Sequence, residues 1–224
     1  IKTVITRKNI GDIPNLVKLA RQLDVKLKLN IFLPLGRGCV TRDELQVNSA
    51  QLIQAFKNVW LLADFYGLES ATFNTMCNQW IGRAAENCGA GCGCVLIDCS
   101  GDVYPCEALQ YAPLKMGNLL SDKPVRQRPL ALKRSVDDLP HCNACQVRYF
   151  CRAGCAAEAL VSGPRRHRVS SLCAFYRAVL PGIVARWERG LSSWQNLKHV
   201  FGDSIDFSQV REYLSTDIGT PHGR

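Results

Sequence analysis

Seven cysteines of this chain stand in one long spaced pattern. Cys88 is followed after twelve residues by Gly101 and after four more by Cys106; then come Cys142-x2-Cys145-x5-Cys151-x3-Cys155 and, last, Cys173. Thiols at such intervals either pair as disulfides or bind metal as thiolates. A lone C-x2-C is weak, because many zinc sites contain one. Four cysteines within 14 residues, Cys142 to Cys155, are a strong metal signal, and the groups on either side strengthen it. The chain opens IKTVITRKNI, with no long apolar stretch of the kind an export signal needs. That opening and the tight local spacing favour ligation over disulfides. The bare spacing leaves the metal open. Zinc takes closed tetrahedral sets of Cys or Cys and His, and His141 stands beside Cys142. Iron–sulfur clusters are also held by thiolates.

The elements that must position these thiols are partly readable. Val95–Asp98 and Asp102–Tyr104 read as two short strands around the turn signal Ser100-Gly101. Such a hairpin brings its flanks together, so Cys88 or Cys94 approaches Cys106. Arg152–Leu160 is helix-competent. Cys151 and Cys155 are therefore expected one turn apart at a helix start, where unpaired backbone N–H groups favour anionic sulfur.

Upstream, Lys2–Thr6 reads as a strand, followed by a turn with Gly11 and a helix with Asp12 as N-cap and Pro14 in its first turn. Ile13, Leu16, Leu19, Ala20 and Leu23 recur at helical spacing. Val25, Leu27, Leu29, Ile31 and Leu33 then alternate with Lys26, Lys28, Asn30 and Phe32, the pattern of a strand ending at Pro34. Strand, helix, strand is a βαβ unit, which requires a parallel pair. One such unit cannot cover both faces of a sheet, so it is expected to be part of a larger α/β domain. Residues 35–48 read as a loop, and 49–66 as a helix capped by Asn48 or Ser49, with Leu52, Ile53, Phe56, Val59, Trp60 and Ala63 on one face and Gly67 as its stop. Residues 70–87 are ambiguous. Residues 174–190 look amphipathic but broken at Pro181-Gly182.

The stretch CGAGCGCVLIDCSGDVYPC from Cys88, the MGNLL of 116–120, the CNACQVRYFCRAGC from Cys142, and Cys173 together resemble the SPASM extension of radical S-adenosylmethionine (SAM) enzymes. That family's pattern is C-x9–15-G-x4-C, a gap, C-x2-C-x5-C-x3-C, a gap, and C. The resemblance covers about residues 88–175. The βαβ unit and the turn Pro34-Leu35-Gly36-Arg37-Gly38 resemble, less specifically, the late strands of the radical SAM partial barrel. The fold class implied is α/β: the C-terminal part of a partial (β/α) barrel over 1–87, a cysteine-rich α+β SPASM extension over 88–175, and a helical tail over 176–224.

The same resemblance implies two auxiliary [4Fe-4S] clusters. One would take Cys88, Cys94, Cys106 and Cys155, and the other Cys142, Cys145, Cys151 and Cys173. Cys92 and Cys99 are alternatives to Cys94. It also implies a peptide or protein substrate, with ribosomal-peptide maturation preferred, a small electron donor such as flavodoxin or ferredoxin, and a cytoplasmic setting. Relatives use a C-x3-C-x2-C loop to bind a third [4Fe-4S] cluster with SAM, whose reductive cleavage gives the radical that abstracts a substrate hydrogen. These 224 residues contain no such loop: Cys88-x3-Cys92 is followed by Val95, and Cys151-x3-Cys155 by Glu158, at the third place. They are not expected to be catalytic alone. A standalone iron–sulfur electron carrier or scaffold, and a structural zinc module, are the competing readings.

The remaining chemistry is weaker. The formal charge is +9. Two clusters of charge −2 bound by thiolates would leave the loaded form near about +5, so the surplus is not read as a nucleic-acid surface. No uncharged apolar run is long enough to span a membrane. Arg148 and Arg152 stand where they could tune a cluster, although surface arginines are commonplace. Cys39 is read as an ordinary loop or buried cysteine; Asp98, Asp102 and Glu107 as turn and solvent residues; Arg165-Arg166-His167-Arg168 as a solvated loop. His141, His167, His199 and His222 show no catalytic context.

Overall fold

The structure, a computed structural model, describes residues 1–65, 88–127, 129, 132–133, 135–161 and 170–189. The readings made for 70–87, the basic run 165–168, His167, His199 and His222 fall outside these residues. The fold is mixed α/β with two small sheets among the described residues, and the chain divides into two compact units.

The first unit contains Ile1–Phe32, the described residues from Glu44 to 65, and the last helix from Ala178 onward. Strand β1 (Lys2–Ile5) pairs in parallel with β2 (Lys28–Ile31), in the register Lys2 to Lys28 and Ile5 to Ile31. Helix α1 (Ile13–Gln22) makes the crossover and buries Ile13, Pro14, Val17 and Ala20, positions on one face at 3.6 residues per turn. Asp12 sits at its N-cap as expected, but its side chain makes no capping bond. A 3-10 turn over Ile10–Asp12 leads into the helix instead.

The second strand is shorter than its alternation suggested. Asp24 is left-handed (φ +50°), its N–H donates to the Arg21 carbonyl, and Val25 N–H donates to the Ala20 carbonyl. This is a Schellman ending. It draws Val25 back onto the helix, so extended pairing starts only at Lys28.

The span 35–48, read as a loop, holds a 3-10 turn (Gly36–Cys39) and the one-turn helix α2 (Arg42–Leu45). Helix α3 (Ser49–Phe65) starts with a capping box: Gln51 N–H donates to Asn48 Oδ1 at 2.9 Å, and Asn48 N–H donates to Gln51 Oε1 at 3.4 Å. Leu52, Phe56, Val59 and Leu62 are fully buried, and α3 packs against α1. Burying each such side chain contributes roughly 1.5–3 kcal/mol.

The second unit contains Leu33–Asp43 and the described residues from Cys88 to Arg177. The turn of 33–43 thus groups with the cysteines and not with the βαβ unit. Strands β3 (Leu96–Ile97) and β4 (Asp102–Tyr104) form the expected hairpin, and β5 (Gly117–Asn118) adds a third antiparallel strand beside β4. Asp98 Oδ1 accepts from the N–H of Ser100 and of Asp102, closing the turn, where Gly101 has φ +78°. A Cβ at Gly101 would lie 2.9 Å from Leu120 Cγ. Asp102 is held from β5 by Asn118 Nδ2 at 2.5 Å and by Lys115 Nζ at 2.6 Å. These two partners hold its carboxyl below the usual carboxylate range.

The helices after Cys142 differ from expectation. Helix α4 (Arg148–Cys151) ends at Cys151, and α5 (Ala156–Val161) begins after Cys155. Between them Arg152, Ala153 and Gly154 are all left-handed, at φ +53°, +61° and +74°. Cys151 and Cys155 therefore do not share a helix start. The left-handed run costs roughly 1–2 kcal/mol for each non-glycine residue, and it breaks the helix that propensity favours. Helix α6 (Cys173–Arg189) runs through Pro181 without a break. Pro181 deletes the bond to the Arg177 carbonyl but sits on an exposed face, where its ring is accommodated.

Candidate functional site

The eight cysteines expected as ligands all lie in the second unit, four of them around one hollow and three beside one apolar cluster. None of the eleven described cysteines forms a disulfide.

The first group is built on the hairpin. Register pairs Leu96 with Tyr104. Continued two residues outward, it sets Cys94 opposite Cys106 at the open end, while Cys99 lies at the turn end. Residues 89–94 form a tight loop. The N–H groups of Cys92, Gly93 and Cys94 all donate to the Gly89 carbonyl, and Gly91 N–H donates to the carbonyls of Cys94 and Pro105. The bond to Pro105 anchors this loop beside Cys106. Gly89 and Gly93 touch, since a Cβ on Gly89 would be 3.3 Å from Gly93 Cα. Cys88, Cys106 and Cys155 pack against one apolar cluster of Ala90, Leu109, Leu114, Leu132, Ala156 and Ala157, together with Leu35.

Electrostatics agree with this grouping. Burial pushes the Cys106 thiol up, and Cys88, Cys94 and Glu107 push it further, while the Ala108 N–H opposes them. The Cys155 thiol is raised by burial and by Cys88 and Glu158, against the N–H groups of Glu158 and Ala157 that point at its sulfur. Of the three candidates Cys92, Cys94 and Cys99, it is Cys94 that acts on Cys106.

The second group surrounds a mostly apolar hollow. Cys142, Cys145, Cys151 and Cys173 line it, with His141, Arg148, Ser170 and Arg177. Burial pushes Cys151 up to about 12, aided by Cys173, Cys142 and Cys145 and opposed by the Gly154 N–H. Burial also raises Cys173, with Cys145 adding to it and Arg177 opposing. Cys142 belongs to a small core with Val136, Leu139 and Ala153. Among the described residues, no three His, Cys, Asp or Glu side chains converge on a point suited to a single metal ion. The four thiols line the same hollow.

The donor set fits iron–sulfur clusters in its chemistry. It offers two sets of four thiols, each set seated partly in apolar surroundings. In both sets, backbone N–H groups are directed at sulfur, which favours thiolate over thiol. Arg148 lines the second hollow and is fixed in place. It donates to Asp137 Oδ1 at 3.2 Å, to the Cys145 carbonyl at 3.1 Å and to Tyr149 Oη at 3.1 Å, and stacks 4.4 Å from the Tyr149 ring centroid. Arg152 lies in the left-handed run. Cys39 donates its S–H to the Pro34 carbonyl at 3.0 Å. Asp98 and Asp102 serve the hairpin, and Glu107 opens a 3-10 turn directly after Cys106.

Two site residues escaped the sequence reading. Glu158 is 3% exposed, and it accepts from Ser170 Oγ at 2.8 Å and from Ser171 N–H at 2.9 Å. Ser170 is itself buried. The signal was present, since a lone carboxylate in the apolar run Ala156–Val161 must be exposed or paired.

Comparison with known proteins gives consistent relatives. The chain is 28% identical over 172 residues to the mycofactocin maturase MftC of Mycobacterium ulcerans (strain Agy99), covering 73% of this chain and 46% of that protein. It is 30% identical over 172 residues to the mycofactocin maturase MftC of Mycolicibacterium smegmatis, covering 73% of this chain and 43% of that protein. The Mycobacterium tuberculosis MftC (strain H37Rv) is 28% identical over the same length. The matched stretch spans a little under half the length of these relatives. No protein-family profile matches the chain, and no solved structure does.

Proposed function

We propose that this chain, a homologue of the radical SAM/SPASM peptide maturases, is the portion of such an enzyme that holds two auxiliary [4Fe-4S] clusters, with the βαβ unit as the late part of its partial barrel. The observation that carries the reading is that Cys142, Cys145, Cys151 and Cys173 line one hollow, while Cys88, Cys106 and Cys155 pack on one apolar cluster with Cys94 beside Cys106. A hollow lined by four thiols suits a polynuclear cluster, whereas zinc wants four donors at a point. When bound, the clusters supply one-electron redox capacity near the substrate.

Each residue has a definable task. The left-handed turn Arg152-Ala153-Gly154 directs Cys151 to one group and Cys155 to the other. The loop 89–94 delivers Cys94 to Cys106. The N–H groups of Ala108, Gly154, Ala157 and Glu158 stabilise negative sulfur. Arg148 and Arg177 place positive charge at the second hollow. A peptide substrate follows from the relatives' description as maturases, and an external one-electron donor such as flavodoxin or ferredoxin follows from the cluster chemistry. Among the described residues no helix is long and apolar enough to cross a membrane.

Anaerobic purification and metal analysis test the reading. The expected result is about eight irons per chain from these cysteines and a broad absorption near about 400 nm. Cys145→Ala should remove about half of that iron and leave the signal of the other cluster. Stoichiometric zinc in place of iron, or full iron in Cys145→Ala, would overturn the assignment.

A further inference from the structure

A buried carboxylate connects the two thiol groups. Glu158 stands one turn into α5, three residues after Cys155 of the first group. Its two oxygens hold Ser170 Oγ and Ser171 N–H, the residues that lead directly into α6 and Cys173 of the second group. Ser170 Oγ also receives Leu172 N–H at 3.2 Å, and the Ser170 carbonyl receives Cys173 N–H at 3.0 Å. The same segment meets the left-handed turn, where a Cβ on Gly154 would fall 2.4 Å from Ser170 Cβ. A buried carboxylate is costly unless its oxygens are bonded, so this connection is locked: breaking it leaves a buried acceptor pair without donors.

We propose that Glu158 is a positioning residue that fixes Cys173 in the second cluster site from the helix that begins at the first. The inference rests on the two-cluster reading but concerns a residue that binds no metal. Cys173 lies far along the chain from Cys142, Cys145 and Cys151, so something outside the local loop must set its position. Glu158 does so through Ser170 and Ser171, and it thereby makes assembly of the second site depend on the ordered start of α5 behind Cys155.

The test compares Glu158→Ala, Glu158→Gln and wild type in the intact protein. Cluster content is read by iron analysis and by the electron paramagnetic resonance of the reduced clusters. The alkylation rate of Cys173 in the iron-free protein is read by mass spectrometry. Glutamine offers an oxygen to Ser171 N–H and an amide that the Ser170 hydroxyl can accept from, so it keeps both links. Glu158→Ala should lose the signal of the second cluster, as Cys173→Ala should, while the first remains. Its Cys173 should also alkylate several-fold faster in the iron-free form. Glu158→Gln should restore both readouts toward wild type. Unchanged alkylation and full second-cluster signal in Glu158→Ala would overturn the proposal, and so would failure of Glu158→Gln to rescue. If Glu158→Ala is globally unfolded by circular dichroism, Ser170→Ala, which deletes one of the two links, decides by the same readouts. A wild type that binds no iron refutes the two-cluster reading alone, since the alkylation comparison still reports on the link to Cys173.

Discussion

The two units are held together by different means. The first has regular elements and a continuous apolar core: Ile5, Ile13, Val17, Leu29, Leu52, Phe56, Val59 and Leu62, nearly all without solvent contact. The second has strands of two or three residues and two small clusters, with Cys88, Cys106 and Cys155 packed at the edge of one and Cys142 within the other. Its backbone is also strained, with two non-glycine residues of the left-handed run between Cys151 and Cys155. Strain of this kind persists only where the surroundings over-determine it. The contrast teaches that apolar burial is sufficient for the βαβ unit, whereas the cysteine-rich unit has less of it, and under the proposed reading it draws further stability from what its thiols bind.

Removing the metal breaks this comparison most directly. Chelation of the iron-loaded protein should loosen the cysteine loops of the second unit, with the Glu158 link to Ser170 and Ser171 kept, while the first unit keeps its structure, because binding energy at thiolate sites is folding energy. Hydrogen exchange should then show loss of protection over β3–β5 and α4 and retention over α1, α3 and α5. Equal loss in both would refute the contrast.

Phe56→Ala attacks the other side. It should cost about 3–5 kcal/mol in denaturant unfolding of the first unit, by loss of burial and creation of a cavity, with iron content unchanged. Gly154→Ala should cost about 2–4 kcal/mol, because a side chain at φ +74° is strained and its Cβ collides with Ser170. Unlike Phe56→Ala, it should lower iron at the second site. Asn48→Ala removes the cap of α3 and should cost about 1 kcal/mol, seen as a lower midpoint without change in iron.

The smallest effect sharpens the hairpin alone. The Asp102 carboxyl is held low by Lys115 and Asn118, so the folded form favours the ionised group. Its stabilising effect is present above the ordinary aspartate range and is lost as pH falls through the depressed value. Lys115→Met should raise that value back toward the ordinary one, measured by carboxyl NMR titration. Because Lys115 is exposed and Asp102 only half-buried, overall stability should change little.

Much of the positioning was legible in the residues. Periodicity located α1 and α3, and the Ser100-Gly101 signal located the hairpin, since these depend on neighbours in sequence. The same local logic failed wherever a tertiary contact overrode it. Arg152–Leu160 has helical propensity from its first residue, yet the chain turns left-handed for three residues before α5. Pro181 looked like a stop, yet α6 passes through it. Gly117-Asn118 is too short to show strand alternation and becomes a strand only because Asp102 and Val103 lie opposite.

The sequence by itself determined the spaced pattern of cysteines on which the iron–sulfur reading rests, because their number and spacing are written in the order of residues. It also determined a βαβ start, through hydrophobic periods that any folded context must respect. Only the tertiary structure showed which thiols line one hollow and which pack on one apolar cluster. Spacing could not separate Cys94 from Cys92 and Cys99, because the answer rests on hairpin register and on a backbone bond to Pro105. Nor could it reveal that Glu158 meets Ser170 and Ser171. A buried carboxylate finds its partners through space, and donors twelve and thirteen residues away leave no periodic trace in the chain.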